Sequence, residues 1–263
     1  MNSLLDDVLN IAIEAGEKIL EIYNSDFAVT RKDDDSPLTQ ADLAAHRHIV
    51  AGLGQCLPAL PVLSEEAAEI PYATRRVWTR YWLVDPLDGT KEFVKRNGEF
   101  TVNIALIENS QPVLGVVHAP ALKLTYVACK NIGAFQVTDG GRTRLHARKT
   151  PARPALVVSK SHRDEALERF LVKAPPHDAV SRGSSLKFCL VASGQADLYP
   201  RTGPTSEWDT AAGQCVVEQA GGSVLRTPAL TPLRYNEKDS LLNPTFLVIG
   251  DPAYGWPGKL GLS

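Results

Sequence analysis

The chain has 263 residues, 44% hydrophobic and 22% charged, with a net charge of -2. That composition supports a globule with an ordinary core, in one large domain or two smaller ones sharing it. It shows no basic excess that would point to a nucleic-acid partner, so an anionic substrate has to be held by local cations.

The four cysteines, Cys56, Cys129, Cys189 and Cys215, stand far apart without a CxxC pair, the pattern of free thiols in a reducing compartment. The first residues lack the basic region and apolar run of a signal peptide, and no window is apolar for long enough to span a bilayer. The expectation is a cytoplasmic protein. Leu4, Val8, Ile11, Ala12, Ala15, Ile19 and Ile22 recur at helical spacing and predict an amphipathic helix of about five turns. After a charged stretch from Arg31, Thr39 is placed to cap a second helix, with Asp42 in its first turn and glycines near position 52 at its end. Pro61-Val62-Leu63 predicts a strand ending at Ser64-Glu65-Glu66, and Tyr81-Trp82-Leu83-Val84 another ending at Asp85. Residues 100–107 and 112–118 read as a hairpin, and 124–128 and 134–137 continue a mostly antiparallel sheet. Beyond Thr150 the pattern alternates: strands at 156–158, 197–199, 223–225 and 246–249, helices at 164–172, 184–192 and 210–220. Residues 254–263 read as a loose tail. The expected class is α/β, with an α+β half over 1–150 and an α/β half over 151–263.

The chemistry gathers around Asp85-Pro86-Leu87-Asp88-Gly89-Thr90. Functional carboxylates often stand at strand ends, and Pro86 holds Asp85 extended. Leu87 can offer its carbonyl. Asp88, three residues after Asp85, can be turned to the same place. Gly89 permits close backbone approach, and the Gly89 and Thr90 amides at a helix start form a phosphate seat. Hard oxygen donors suit magnesium rather than zinc. A surface turn is the alternative, because Asp-Pro and Asp-Gly are common turn pairs. Glu65 is a further ligand or a solvated loop acid. Asp209, after Trp208, is a third carboxylate or a helix N-cap, and Asp42 has the same capping alternative. All of these alternatives must hold together for the chain to lack a metal site.

Leu63-Ser64-Glu65-Glu66, the Asp85 hexapeptide and Trp208-Asp209-Thr210-Ala211-Ala212-Gly213 resemble, in order, the three signatures of the inositol monophosphatase superfamily. The resemblance spans nearly the whole chain, to Ile249. Ser36-Pro37, Lys91-Glu92-Phe93, the run from Arg96 to Asn103 and the run from Gly183 to Ala192 make it most similar to the bacterial 3′(2′),5′-bisphosphate nucleotidases of that superfamily. The resemblance implies a layered αβαβα sandwich. It implies one magnesium ion on Glu65, Asp85 and the Leu87 carbonyl, and a second on Asp85, Asp88 and Asp209. A third, where present, sits near Glu65 and Asp42 through water. Two ions about 4 Å apart clamp the attacking and leaving oxygens of an in-line displacement. In the implied mechanism, a water near Glu65 donates to the Thr90 hydroxyl, which donates to Asp42, while the Gly89 and Thr90 amides hold the phosphate.

A bisphosphate also needs cations away from the metals. Lys187 lies early in a helix opened by Gly183-Ser184-Ser185, and Arg201 follows Tyr199-Pro200. Solvated surface charges are the alternative for both. Ser159 and His162, at a strand end, resemble the nucleotide-binding strand end of these enzymes. The expected substrate is adenosine 3′,5′-bisphosphate, split to AMP and phosphate in sulfur assimilation, with PAPS as a further substrate. Two rivals stand beside it: an inositol or sugar-phosphate phosphatase of the same superfamily, and a non-catalytic module that binds anions through magnesium. The GxxxxGK[ST] loop of nucleotide triphosphatases is absent. The resemblance covers monomers and homodimers, and enzymes loosely associated with the cytoplasmic side of the inner membrane.

Overall fold

The computed structural model describes residues 3–25, 37–158 and 165–262. Helix α1 (Ser3–Tyr23) buries Leu5, Val8, Ala12, Ala15 and Ile19, the stripe its spacing predicts. Helix α2 (Pro37–Gln55) packs along it. Proline is well suited to a first helical position, and α2 starts at Pro37. Thr39 therefore lies inside the helix instead of capping it, and Asp42 falls in the second turn, not the first.

Both helices cover one face of a seven-stranded sheet whose strands neighbour one another in chain order. These are β1 (Val62–Ser64), β2 (Arg80–Asp88), β3 (Thr101–Glu108), β4 (Gln111–Ala119), β5 (Leu124–Cys129), β6 (Gly133–Thr138) and β7 (Gly141–Arg144). β1 and β2 run parallel and the remaining neighbours antiparallel. A short helix α3 (Tyr72–Arg75) precedes β2, and α4 (Thr90–Val94) follows it. β7 is exposed throughout and polar, so it carries no apolar alternation by which to read it.

Strand periodicity sends Trp82 and Val84 toward α1 and α2, and Tyr81 and Leu83 to the opposite face. There they meet α6 (Leu186–Ala192) and α7 (Ala211–Gln219). Gly115 allows this approach, since a Cβ on it would stand 2.6 Å from the Ala212 carbonyl oxygen. Below this helical layer lies a mixed sheet of β8 (Ala155–Val157), β9 (Asp178–Val180), β10 (Leu198–Arg201), β11 (Ser223–Arg226), β12 (Thr231–Pro232) and β13 (Phe246–Ile249), in the order β12-β11-β13-β10-β8-β9. Tyr199, Phe246 and Val248 face α6 and α7, whereas Leu198, Leu247 and Ile249 face outward to a last layer. That layer holds α5 (Glu165–Lys173) and α8 (Trp256–Lys259). The result is the αβαβα sandwich. Where the chain passes between sheets, Arg148 donates twice to the buried Asp197, at 2.9 and 2.7 Å, and Asp197 also accepts the Ala155 N–H.

The four cysteines are free and buried. Among the described residues, no helix is long and apolar enough to cross a membrane. The C-terminal segment is not the loose tail its composition predicts: Trp256 and Leu260 are 0% and 1% exposed against Leu156, Leu198, Leu247 and Ile249. Trp256→Ala should therefore lower stability by about 3–5 kcal/mol. The check is chemical denaturation, with an earlier midpoint and an unchanged slope.

Candidate active site

β2 does not end at Asp85, as its apolar run predicts, but continues to Asp88 through an irregularity. Asp85 pairs with Asn103 and Asp88 with Thr101, so Pro86 and Leu87 stand opposite Val102 alone. One extra residue on one strand is a β-bulge. Pro86 has no N–H for the ladder, and the Leu87 N–H turns aside to the Asp85 Oδ1 at 3.1 Å. In a regular strand, residues three apart face opposite sides. Here the bulge reverses the parity: Leu87 joins Trp82 and Val84 in the core beneath α1 and α2. Asp85 and Asp88 are left together on the face toward α6 and α7.

Asp85 is 1% exposed. Loss of solvation raises its pKa well above the usual carboxylate range, and Asp88, Glu65, Asp209 and Asp42 push it further in that direction. Carboxylates from four other places in the chain therefore act on this one. Asp42 is buried on α2. Glu65 is exposed and opens a 3-10 turn (Glu65–Ala67) directly after β1. α2 packs against this turn and against α4, which Thr90 opens, so Asp42, Glu65 and Thr90 stand on neighbouring elements. Gly89 takes φ 92°, the left-handed region that favours glycine, and so turns the chain from β2 into α4. Asp209 is not the N-cap of α7. It ends a separate 3-10 turn (Glu207–Asp209) in a capping box with Ser206, whose N–H it accepts at 2.8 Å. Burial, followed by Asp88, raises its pKa as well.

A cleft of about 440 Å³ opens at Asp88 and Asp209, and Gly89, Thr90, Gly183, Ser184, Ser185, Lys187 and Arg201 also line it, whereas Asp42, Glu65 and Asp85 are not among its lining residues. Leu87 is buried, leaving its carbonyl as its one route to an ion. The Ser184 hydroxyl donates to Asp88 Oδ2 at 2.5 Å. That of Ser185 lies 2.9 Å from the same oxygen and 2.8 Å from the Asp209 carbonyl, with one proton for either. Lys187 is half-buried, donates to the Ser184 carbonyl at 2.6 Å and has its ammonium 5.8 Å from the Tyr199 ring centre. Desolvation lowers its pKa, against the opposing pull of Asp88. Arg201 ends β10 and donates to the Gly203 and Pro204 carbonyls at 3.1 and 2.7 Å. Ser159 and His162 lie outside the described residues.

Sequence reasoning gave no role to Glu92, Glu99 and Arg182, which also line the cleft. Isolated charges in a polar stretch look like solvated surface until folding brings distant segments together. The same holds for Thr101 and Asn103, which bond Ser184 and Ser185 across the sheet end.

The donor set fits magnesium. The groups are carboxylate and carbonyl oxygens, and a buried acid surrounded by acids is a setting that a divalent cation stabilises. Among the described residues, no three acidic, imidazole or thiol side chains converge as a ready-made cage. Asp88 Oδ2 is held by serine hydroxyls and Asp209 Oδ2 by the Ser206 N–H.

The sequence profile of the inositol monophosphatase family matches residues 2–245. Over 248 residues the chain is 52% identical to the 3′(2′),5′-bisphosphate nucleotidase CysQ of Salmonella typhimurium, covering 93% of this chain and 99% of that protein. It is 50% identical, with the same coverage, to the CysQ nucleotidase of Escherichia coli K12. The crystal structure of CysQ from Bacteroides thetaiotaomicron superimposes with a TM-score of 0.88 at 42% identity, over 95% of this chain and 97% of that one. On sequence and architecture together, the chain belongs to the inositol monophosphatase family.

Proposed function

We propose that this protein is a magnesium-dependent 3′(2′),5′-bisphosphate nucleotidase that hydrolyses adenosine 3′,5′-bisphosphate to AMP and phosphate, and PAPS as a second substrate, in sulfur assimilation. The observation that carries the reading is the buried Asp85, on which four other carboxylates act, two of them, Asp88 and Asp209, lining a cleft that also holds Lys187 and Arg201. Half-identity to named CysQ nucleotidases over most of the chain supports the choice of substrate.

Glu65, Asp85 and the Leu87 carbonyl would hold one ion. Asp85, Asp88 and Asp209 would hold a second, and Asp42 with Glu65 would serve a third where one binds. When bound, magnesium neutralises charge on the phosphoryl oxygens and makes water a better nucleophile, as a slow phosphate-ester hydrolysis requires. The Thr90 hydroxyl would accept a hydrogen bond from the attacking water and donate one to Asp42. The Gly89 and Thr90 amides hold the phosphate, and no phospho-enzyme is needed. Lys187 and Arg201, with Gly183, Ser184 and Ser185, seat the second phosphate, while Ser159 and His162 contact the nucleotide. In this scheme residues 1–150 form the half with most metal ligands, and 151–263 the half with Asp209 and the recognition residues. The protein works in the cytoplasm, as a monomer or homodimer.

Asp88→Asn keeps an oxygen for the two serine hydroxyls but loses the charge that an ion needs. Phosphate release should fall about a hundredfold or more while the thermal midpoint holds; activity near wild type would sink the two-ion assignment. Replacing Lys187 by Ala removes a charge-assisted contact to the second phosphate. KM for the bisphosphate should rise about tenfold, with a much smaller change for a simple monophosphate. Equal losses on the two substrates would contradict the role of Lys187.

A further inference from the structure

Glu99 lies in the segment between α4 and β3, at the rim of the cleft. Its Oε2 accepts the Gly183 N–H at 2.7 Å, and its Oε1 lies 3.3 Å from Arg182 Nη1. The Glu99 side chain is 14% exposed and that of Arg182 49%, so the amide bond is the shielded contact. Half-exposed ion pairs contribute little. Gly183 is pressed against α4 and this segment: a Cβ there would stand 2.5 Å from Glu92 Cγ and 2.9 Å from the Glu99 carbonyl oxygen.

The next residue, Ser184, takes φ 52°. A non-glycine residue resists that left-handed conformation and keeps it where its surroundings hold it. Thr101 Oγ1 lies 2.5 Å from Ser184 Oγ, and Asn103 Nδ2 donates to Ser185 Oγ at 3.0 Å. Lys187 holds the Ser184 carbonyl. In this turn both serine hydroxyls reach Asp88 Oδ2, and fixing one carboxylate oxygen also fixes the direction of the other.

We propose that Glu99 is a positioning residue for the hydrolysis: by holding the Gly183 amide it keeps Ser184 in its left-handed turn, and through Ser184 and Ser185 it sets the orientation of Asp88. This inference rests on the proposed role of Asp88 as a magnesium ligand. Groups that orient metal ligands usually cost 10–100-fold in metal affinity or activity when removed. Glu99 also faces Lys187 electrostatically, which offers a competing route by which it could act.

The test measures phosphate release from adenosine 3′,5′-bisphosphate by the full chain and by E99A, E99Q, S184A and E99A/S184A across a magnesium titration, and magnesium binding to each protein without substrate by calorimetry. E99A should lower kcat about 10- to 100-fold and raise the magnesium half-saturation by a similar factor, with KM for the nucleotide little changed. Glutamine keeps an oxygen for the Gly183 N–H, so E99Q should recover most of the loss. Because Glu99 acts through Ser184, adding E99A to S184A should cost less than about threefold more. Losses that multiply, or an unchanged magnesium half-saturation, would overturn the proposal. So would an E99Q as weak as E99A with a raised nucleotide KM, which assigns Glu99 to the charge of Lys187 instead. Should thermal unfolding show E99A to be unfolded, E99D takes its place: its shorter carboxylate falls short of the amide, and the same magnesium shift is expected. Wild-type protein that released no phosphate would overturn the nucleotidase reading itself; active wild type with E99A matching it would overturn the role of Glu99 alone.

Discussion

Pro86 occupies a place in β2 where it has no N–H to give β3, and the Leu87 N–H is spent on Asp85. The ladder gives way there by one residue. Side chains beyond the bulge change sides, and two carboxylates three apart come to one face. The remainder of the site is arranged around that pair. Acids placed together in a buried position are unstable as a purely structural device, because lost solvation and the neighbouring charges raise the pKa of Asp85 and of Asp209. A site for divalent cations gives the arrangement a physical reason.

The layering explains why the two halves of the chain need each other. α6 and α7 lie between the sheets and belong to both cores, with Tyr81 and Leu83 above them and Tyr199 and Val248 below. The loop that opens α6 and the turn that precedes α7 thus arrive at the end of β2. Ser184 and Ser185 reach Asp88 from the loop, and Asp209 arrives from the turn. Lys187 and Arg201 come from the same part of the chain and line the cleft with Asp88, Gly89 and Thr90 of the hexapeptide. A cleft lined by acids and by cations together suits an anionic substrate that binds with divalent metal ions.

Much of this was legible from local pattern. The stripe of α1 shows at three- and four-residue spacing, and β3 and β4, buried on both faces, show as near-continuous apolar runs. The acidic hexapeptide was readable because its residue types are unusual together. What stayed hidden was fixed by tertiary contact. β7 is short and polar and β9 has three residues, too few to show a period, so their pairing comes from neighbours rather than composition. Trp256 and Leu260 look like a tail until the outer face of the second sheet is there to receive them. Asp209 resembled the N-cap of α7, and its true setting depends on the 3-10 turn before that helix. Glu99 was one acid in a polar run, and its partner lies 84 residues away. Ser159 and His162 rest on resemblance alone.

The most direct test of the account is phosphate release from adenosine 3′,5′-bisphosphate and from inositol 1-phosphate, each with magnesium and with a chelator. A site with dedicated cations for a second phosphate should favour the bisphosphate in kcat/KM by about a hundredfold or more. Chelation should abolish turnover of both substrates, and added magnesium should restore it. Preference for inositol 1-phosphate, turnover that survives the chelator, or magnesium-dependent binding with no phosphate released would each contradict the account.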